Sequence, residues 1–386
     1  MTLGDRDGTM RSNLPAKDKA LPGRAGIWEV AHRAGVGIAS VSRALSGQPG
    51  VSAKMRRRVL QAAERVGYIP NLVAQGLRRR KTRSVGFVLS DISNPLLSSI
   101  VAGAEWALSR AGYSVLLTNS AGEPELDAER VQLLLQRQVD GLIILPSRED
   151  DPATIAALQR AEVPIIVIDR TLPADVKATF VLSDHYLGVG DAARHLLALG
   201  HRRIALVVGP DVRPSRERIR AVADAYATHS LPPRFVVDHG TLSAEHGERS
   251  VARLLDSAVA PTAIILGGNQ LLEGALRMIR NRGIILGKDL SLVCCDDIPL
   301  GRLNQPPIAT VHRDTVAIGR TAAECFLKQM EKSSVAASTM LPTWFEPRES
   351  CGAPPATARG SAPKPLRNKK RSAGARTVRP KPSPSR

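Results

Sequence analysis

Ala31-His-Arg-Ala-Gly35-Val-Gly-Ile-Ala-Ser-Val41-Ser-Arg-Ala-Leu45 reads as two short helices joined by a glycine turn. A helix-turn-helix needs a small residue where its helices cross, a glycine at the turn and apolar anchors on both helices. Ala31 and Gly35 meet the first two needs, and Val36, Val41 and Leu45 supply the anchors. Ala39 and Arg43 lie four residues apart on the second helix and so share its outer face, with Ile38 and Ser42 on its shoulders. An outward arginine there is placed for a bidentate contact to a guanine edge in the major groove. A plain three-helix bundle with a solvated charged face fits the same spacing.

The flanking sequence extends this pattern. Ile27, Val30/Ala31 and Ala34 share one helical face, as do Met55, Val59, Ala62/Ala63 and Val66. Ser52 is placed to cap the third helix and Gly67 to stop it. Next comes Tyr68-Ile-Pro-Asn-Leu-Val-Ala-Gln-Gly-Leu77-Arg-Arg-Arg-Lys81, in which Pro70 and Asn71 read as a helix start and Val73, Ala74 and Leu77 follow at helical spacing. So short a helix is not stable alone in water and would order only against a partner. The Arg78–Lys81 run points to phosphate, and an exposed Leu77 could wedge between base pairs in the minor groove. A flexible linker is the competing reading of this segment.

Charge follows the same division. Residues 1–83 carry 17 Lys/Arg against 5 Asp/Glu, a net +12, and residues 352–386 carry 10 Lys/Arg and no acids. The whole chain is +18, so the stretch between them sums to −4. Basic ends around a mildly acidic body predict a polyanionic partner at the ends only. The cysteines Cys294, Cys295, Cys325 and Cys351 show no metal spacing and no disulfide framework. No apolar run reaches the length of a membrane span, and the N-terminus has no apolar signal-like core. The expectation is free thiols in a reducing cytoplasm, without cofactor, metal or membrane partner.

From residue 84 the pattern becomes short continuous apolar runs alternating with amphipathic stretches. The runs are Val85–Leu89, Val115–Leu117, Leu142–Leu145, Pro164–Ile168, Phe180–Leu182, Ile204–Val208, Phe235–Val237, Ala263–Leu266 and Leu290–Cys295, with a late strand over Thr339–Phe345. Runs that do not alternate fit strands buried on both faces of parallel sheets. About ten strands are many for one twisted sheet, which predicts two lobes. Ligands of such lobes bind at the carboxyl ends of strands. The first polar residues after the runs include Asp91, Asp169, Asn269 and Asp296, a set suited to a polar, hydroxyl-rich small molecule. Aspartates at strand ends also serve as helix caps, and that reading stays open here.

Taken in order, Val36–Leu45, Tyr68–Leu77, Asp91-Ile-Ser-Asn-Pro95, Ile168-Asp-Arg170, Leu199-Gly-His-Arg-Arg-Ile-Ala205, Cys295-Asp-Asp-Ile-Pro299, Pro306-Pro-Ile-Ala-Thr-Val311 and Gly319-Arg resemble the LacI/GalR (lactose-repressor) family over about residues 26–350. The resemblance implies an all-α helix-turn-helix headpiece plus a two-lobed α/β core like that of periplasmic binding proteins, with helices on both faces of parallel sheets. It implies a homodimeric regulator, most often a repressor, that reads a palindromic double-stranded DNA operator and answers to a small effector such as a sugar, sugar acid or other polar metabolite. Ile38, Ala39 and Arg43 would face bases, with Ser40 and Ser42 near phosphates; Asn71, Ala74 and Leu77 would serve the hinge. The effector contacts it implies are Asn94, Leu96, Asp169, Arg218, Asn269 and Asp296.

The expected organisation is a disordered arm over 1–25, a DNA-binding domain over 26–70, a hinge over 71–83, a two-lobed body over 84–351 and a basic disordered tail over 352–386. Within the body the N-lobe is expected at about 84–183 and 308–333, and the C-lobe at about 184–307 and 334–351. The sequence departs from the family pattern at several positions. Gly26 stands where a Ser/Thr cap is usual, Gly37 replaces a Ser, and Gly76 weakens the hinge helix by up to about 1 kcal/mol. Leu96 replaces a common Phe, Cys295 an aromatic and Gln270 an Asp, which disfavours ligands held by ring stacking. Two rival classes fit less of the chain. An enzyme has only Gly188-Val-Gly190-Asp-Ala-Ala193 as a weak echo of a dinucleotide loop, and a periplasmic binding protein has no use for residues 26–83.

Overall fold

The computed structural model describes residues 26–46, 50–69, 81–332 and 338–356, and the chain divides into two units between Thr82 and Arg83. The predicted hinge contacts Asn71, Ala74 and Leu77, the arm over 1–25 and the tail from residue 357 onward lie outside the described residues.

The first unit holds three helices, α1 (Ile27–Ala34), α2 (Ile38–Leu45) and α3 (Ala53–Arg65). Gly35 adopts φ +57, a left-handed conformation that a Cβ disfavours, and its amide closes α1 by donating to the His32 carbonyl at 3.2 Å. Ser52 Oγ caps α3 by accepting from the Met55 amide at 3.2 Å. The glycines at the other two helix starts bring no such oxygen. At Gly26 the cap comes instead from Glu29, whose carboxylate reaches back to accept the Gly26 amide at 3.2 Å, and Gly37 makes no side-chain cap bond. The core is small, and its buried residues are all Val or Ala: Val30, Ala31, Ala34, Val41, Ala44, Val59, Ala62 and Ala63, with Ile27, Leu45 and Met55 packed against them.

The second unit contains two six-stranded sheets of matching order, β2-β1-β3-β4-β5-β11 and β7-β6-β8-β9-β10-β12. The first, the N-lobe, uses β1 (Ser84–Leu89), β2 (Ser114–Asn119), β3 (Gly141–Ile144), β4 (Ile165–Ile168), β5 (Thr179–Ser183) and β11 (Thr339–Leu341). The C-lobe uses β6 (Ile204–Val208), β7 (Phe235–His239), β8 (Ala263–Leu266), β9 (Ser291–Cys295), β10 (Ala309–Arg313) and β12 (Thr343–Glu346). Every pairing is parallel except β10 with β12. Apolar clusters cover both faces of each sheet. On β1, Phe87 and Leu89 enter one cluster and Val88 the other, which is why these runs do not alternate.

Several expectations need correction. The stretch Thr339–Phe345 is two strands in two sheets, because Pro342 lacks the amide that would continue the ladder. Strand β10 was not among the expected apolar runs, since it ends in His312 and Arg313. The lobe crossings accordingly fall at 183–185, 313–315 and 341–343, so residues 309–313 belong to the C-lobe and 339–341 to the N-lobe. The body also runs past residue 351: the buried ring of His201 has Nε2 at 2.9 Å from the Gly352 carbonyl, and the Gly352 amide donates to Ser291 Oγ at 3.0 Å. Strand β2 is an edge, and its Leu116 and Leu117 are exposed rather than buried.

The helices that matter for the cleft are α4 (Pro95–Arg110), α7 (His185–Ala198), α8 (Arg213–Thr228), α9 (Ala244–Leu255) and α12 (Thr315–Lys332), with α5 (Pro124–Gln136), α6 (Pro152–Gln159), α10 (Leu272–Asn281) and α11 (Pro299–Leu303) completing the layers. Helices α4 and α12 cross at two glycines. A Cβ on Gly319 would stand 1.8 Å from the Ile100 carbonyl oxygen, and one on Gly103 would stand 2.2 Å from that of Val316. Gly188 is likewise a packing position inside α7, where a Cβ would meet Thr343 Oγ1 and Val311 Cγ1 at 2.7 Å, and not part of a phosphate loop.

Candidate functional site

The helix-turn-helix unit presents α2 outward. Ala39 and Arg43 are exposed, Ser40 and Ser42 are half-buried, and Ile38 is half-buried with part of its side chain packed on the Val/Ala core. Arg43 Nε donates to the Ala39 carbonyl one turn back, at 3.4 Å, so the guanidinium runs along the outer face. No carboxylate among the described residues pairs with it. Arg58, which sequence reasoning did not single out, holds the unit together: its guanidinium donates to the Gly35 carbonyl at 3.4 Å and ties α3 to the turn.

The second site forms where the two sheets present their carboxyl ends to each other. All six expected effector residues, Asn94, Leu96, Asp169, Arg218, Asn269 and Asp296, are 8 % exposed or less. Asp169 follows β4 in the N-lobe and Asp296 follows β9 in the C-lobe, and both take positive φ, +50 and +73. Non-glycine residues in that region are uncommon and concentrate at functional sites. Both carboxylates face the same guanidinium. Arg313, at the end of β10, donates through NH1 to Asp169 Oδ2 at 2.5 Å and through Nε to Asp296 Oδ1 at 2.6 Å. One side chain thus ties the acids of both lobes.

Further polar contacts cross between the lobes. Asn269 Nδ2 donates to Asn94 Oδ1 at 3.1 Å, and the same oxygen caps α4 by accepting the Leu96 amide at 3.1 Å. Gln270 Nε2 donates to Asp91 Oδ2 at 2.8 Å, and Arg216 donates to Glu149 Oε2 at 2.5 Å. Asp169 also accepts from the Ser183 amide at 2.6 Å. Burial opposes ionisation of Asp169, but the neighbouring His185, Arg313 and that amide hold its carboxyl well below the usual carboxylate range. Burial, reinforced by Arg218, pushes His185 down to about 4. His185 is therefore neutral at pH 7. Its Nδ1 accepts from Arg218 at 3.2 Å, so the proton sits on Nε2, which faces Asp169 Oδ2 at 3.5 Å.

Sequence reasoning missed His185 and Arg313. The rule that found Asp169 and Asp296, the first polar residue after an apolar run, stops one residue short of Arg313, at His312. Arg218 is brought into this network, while Leu96 contributes apolar wall. A separate open cavity of about 510 Å³ at the end of β7 is lined by His239, Thr241, His246, Arg249 and Arg253, and shares no residue with the network.

Two lobes whose strand ends converge on a buried polar cluster, in a chain that also carries a helix-turn-helix, define a ligand-binding regulator. Comparison with known proteins agrees. Residues 26–71 match the model of bacterial regulatory proteins of the lacI family, and residues 193–351 that of a periplasmic binding protein-like domain. Catabolite control protein A of Priestia megaterium is 30 % identical, over 84 % of this chain and 98 % of its own length. The HTH-type transcriptional repressor CytR of Escherichia coli K12 is 29 % identical, over 82 % of this chain and 93 % of its own. Among solved structures, the Lac repressor dimer bound to operator and the anti-inducer ONPF has a TM-score of 0.76 and 29 % identity, covering 86 % of this chain and 100 % of that one. The chain belongs to the LacI family. It is a DNA-binding transcriptional regulator and not an enzyme.

Proposed function

We propose that the protein is a repressor that binds a palindromic operator as a homodimer and answers to a small polar effector held between its lobes. It acts on the chromosome, in the bacterial cytoplasm. The observation that carries this reading is the bridge Asp169–Arg313–Asp296, which joins a buried charge of one lobe to a buried charge of the other. A ligand shifts such an equilibrium only by binding one lobe arrangement more tightly than the other. Groups that bridge the lobes are where that difference arises. Relatives support the ligand class: one similar structure, 28 % identical with a TM-score of 0.64, is the regulator CelR in complex with cellobiose.

In the reader, Ile38, Ala39 and Arg43 meet bases while Ser40 and Ser42 meet phosphates; Asn71, Ala74 and Leu77 contact the operator centre from the hinge over 71–83. In the cleft, Asn94, Leu96, Asp169, Arg218, Asn269 and Asp296 contact the effector. Ligand changes the lobe angle, and the two readers of the dimer are held at half-site spacing or released. Exposed Leu116 and Leu117 on the β2 edge favour a second copy as neighbour, since long apolar edges are otherwise covered.

The test combines mass, footprint and response. Light scattering at micromolar protein gives a dimer, and footprinting gives protection symmetric about a two-fold centre. Asp296→Ala keeps the footprint and loses its sensitivity to the effector. A monomer with an asymmetric footprint, or an Asp296→Ala protein with normal response, would contradict the proposal.

A further inference from the structure

We infer that the inter-lobe cleft selects an anionic effector, a small polyhydroxylated carboxylate, whose carboxylate is received by Arg218. This rests on the cleft being the effector site, as proposed above. Donors and acceptors in the cleft are unevenly spent. A neutral sugar presents hydroxyls, and carboxylates are the acceptors best suited to bind them. Here both buried carboxylates are already engaged. Asp296 receives Arg313 on both oxygens, Nε at 2.6 Å and NH2 at 3.3 Å. Asp169 receives the Ser183 amide, Ser183 Oγ at 3.1 Å and Arg313. Asn94 Oδ1 already accepts two donors as well.

What stands without a charged partner on the protein side is a donor. Arg218 is 5 % exposed, and no carboxylate among the described residues forms an ion pair with it. It donates to His185 Nδ1 at 3.2 Å and toward the Cys295 thiol, both neutral groups, and its Nε has no partner. A buried guanidinium with an unmade N–H is costly, and a carboxylate is the partner that satisfies it in a planar, two-point geometry. Low His185 basicity agrees with this, because an imidazole beside an unpaired cation resists protonation. Arg313 is then the specificity-determining residue. By occupying both aspartates it withdraws the acceptors a neutral polyol needs and leaves the cleft rich in donors.

The experiment is calorimetric titration of the full-length protein with matched probes: D-gluconate against D-glucitol, D-galactonate against galactitol, and D-glucuronate and D-galacturonate against D-glucose and D-galactose. At least one acid binds, and binds about ten- to a hundredfold more tightly than its neutral partner, the size expected for a charge-assisted pair. Arg218→Gln brings the acid down to the level of the neutral compound. Arg313→Gln frees Asp169 and Asp296, so the preference turns toward the neutral member; a merely structural role for Arg313 would weaken both alike. Neutral probes binding as well as the acids, or binding of none of the acids, or an acid preference that survives Arg218→Gln, would overturn the inference. If a neutral probe binds and is lost in Asn269→Ala, the cleft remains the effector site and only the anionic selection fails. Binding that survives Asn269→Ala, Asp296→Ala and Arg218→Gln together would remove the cleft itself from the reading.

Discussion

The helix-turn-helix unit and the two-lobed body handle charge in opposite ways. The reader turns Arg43 and Arg57 to solvent over a core of eight Val and Ala residues. The body turns Asp169, Asp296, Arg313 and Arg218 inward, between four apolar clusters. An exposed cation without a carboxylate costs little and waits for an outside polyanion. A buried one must be satisfied inside the protein or by a ligand that takes the place of its partner. The difference teaches where each partner binds: DNA meets cations that stand free in solvent, and the effector meets a buried cluster in which the aspartates are engaged and Arg218 still lacks a charged partner.

That contrast can be broken first at Arg43. Arg43→Ala is expected to lose about 1–3 kcal/mol of operator discrimination per half-site, with weaker effect on random DNA. Competition binding at fixed salt measures both, and an equal loss on the two DNAs would place Arg43 on phosphate only. The body's counterpart is Gly319→Ala, which forces a methyl group onto the Ile100 carbonyl and should cost on the order of 3 kcal/mol. Urea unfolding of the body reads this, and an unchanged midpoint would show that α4 and α12 can part without penalty.

A pH series sharpens the contrast. His185 is pushed from its ordinary 6.5 down to about 4 in the folded body. Between those values the unfolded chain binds the proton and the folded chain does not. Stability is therefore whole above about pH 6.5 and falls as pH drops toward 4, by about 1–3 kcal/mol. His185→Gln should flatten that slope; a parallel slope in the variant would assign it to other groups. The smallest effects belong to the reader's caps. Ser52→Ala should cost about 1 kcal/mol of headpiece stability, and Gly37→Ser should gain a few tenths, both read by thermal melting of residues 26–69 within the full chain.

Much of this was legible in the sequence. The Gly35 turn, the Ser52 cap and the strands at 85–89, 204–208 and 263–266 follow from local chemistry, and local chemistry is what a sequence displays. Asp169 and Asp296 were legible because they end strands. What escaped was tertiary. Arg313 hides in a strand whose polar end looks like a loop, and its importance appears only when two lobes bring their aspartates to it. Pro342 separates strands of different lobes across two residues, a distance at which an apolar pattern looks continuous. Leu116 and Leu117 read as core because apolar runs do not reveal which strand is the edge.

The central claim, that the α2 surface reads a two-fold symmetric DNA site, is tested most directly by selecting bound fragments from the genome with the full-length protein and with Arg43→Ala. The account predicts that the native chain enriches one palindromic sequence and that Arg43→Ala retains salt-sensitive binding but enriches none. A native chain that enriches no palindrome, or an Arg43→Ala chain that enriches the same one, would contradict it.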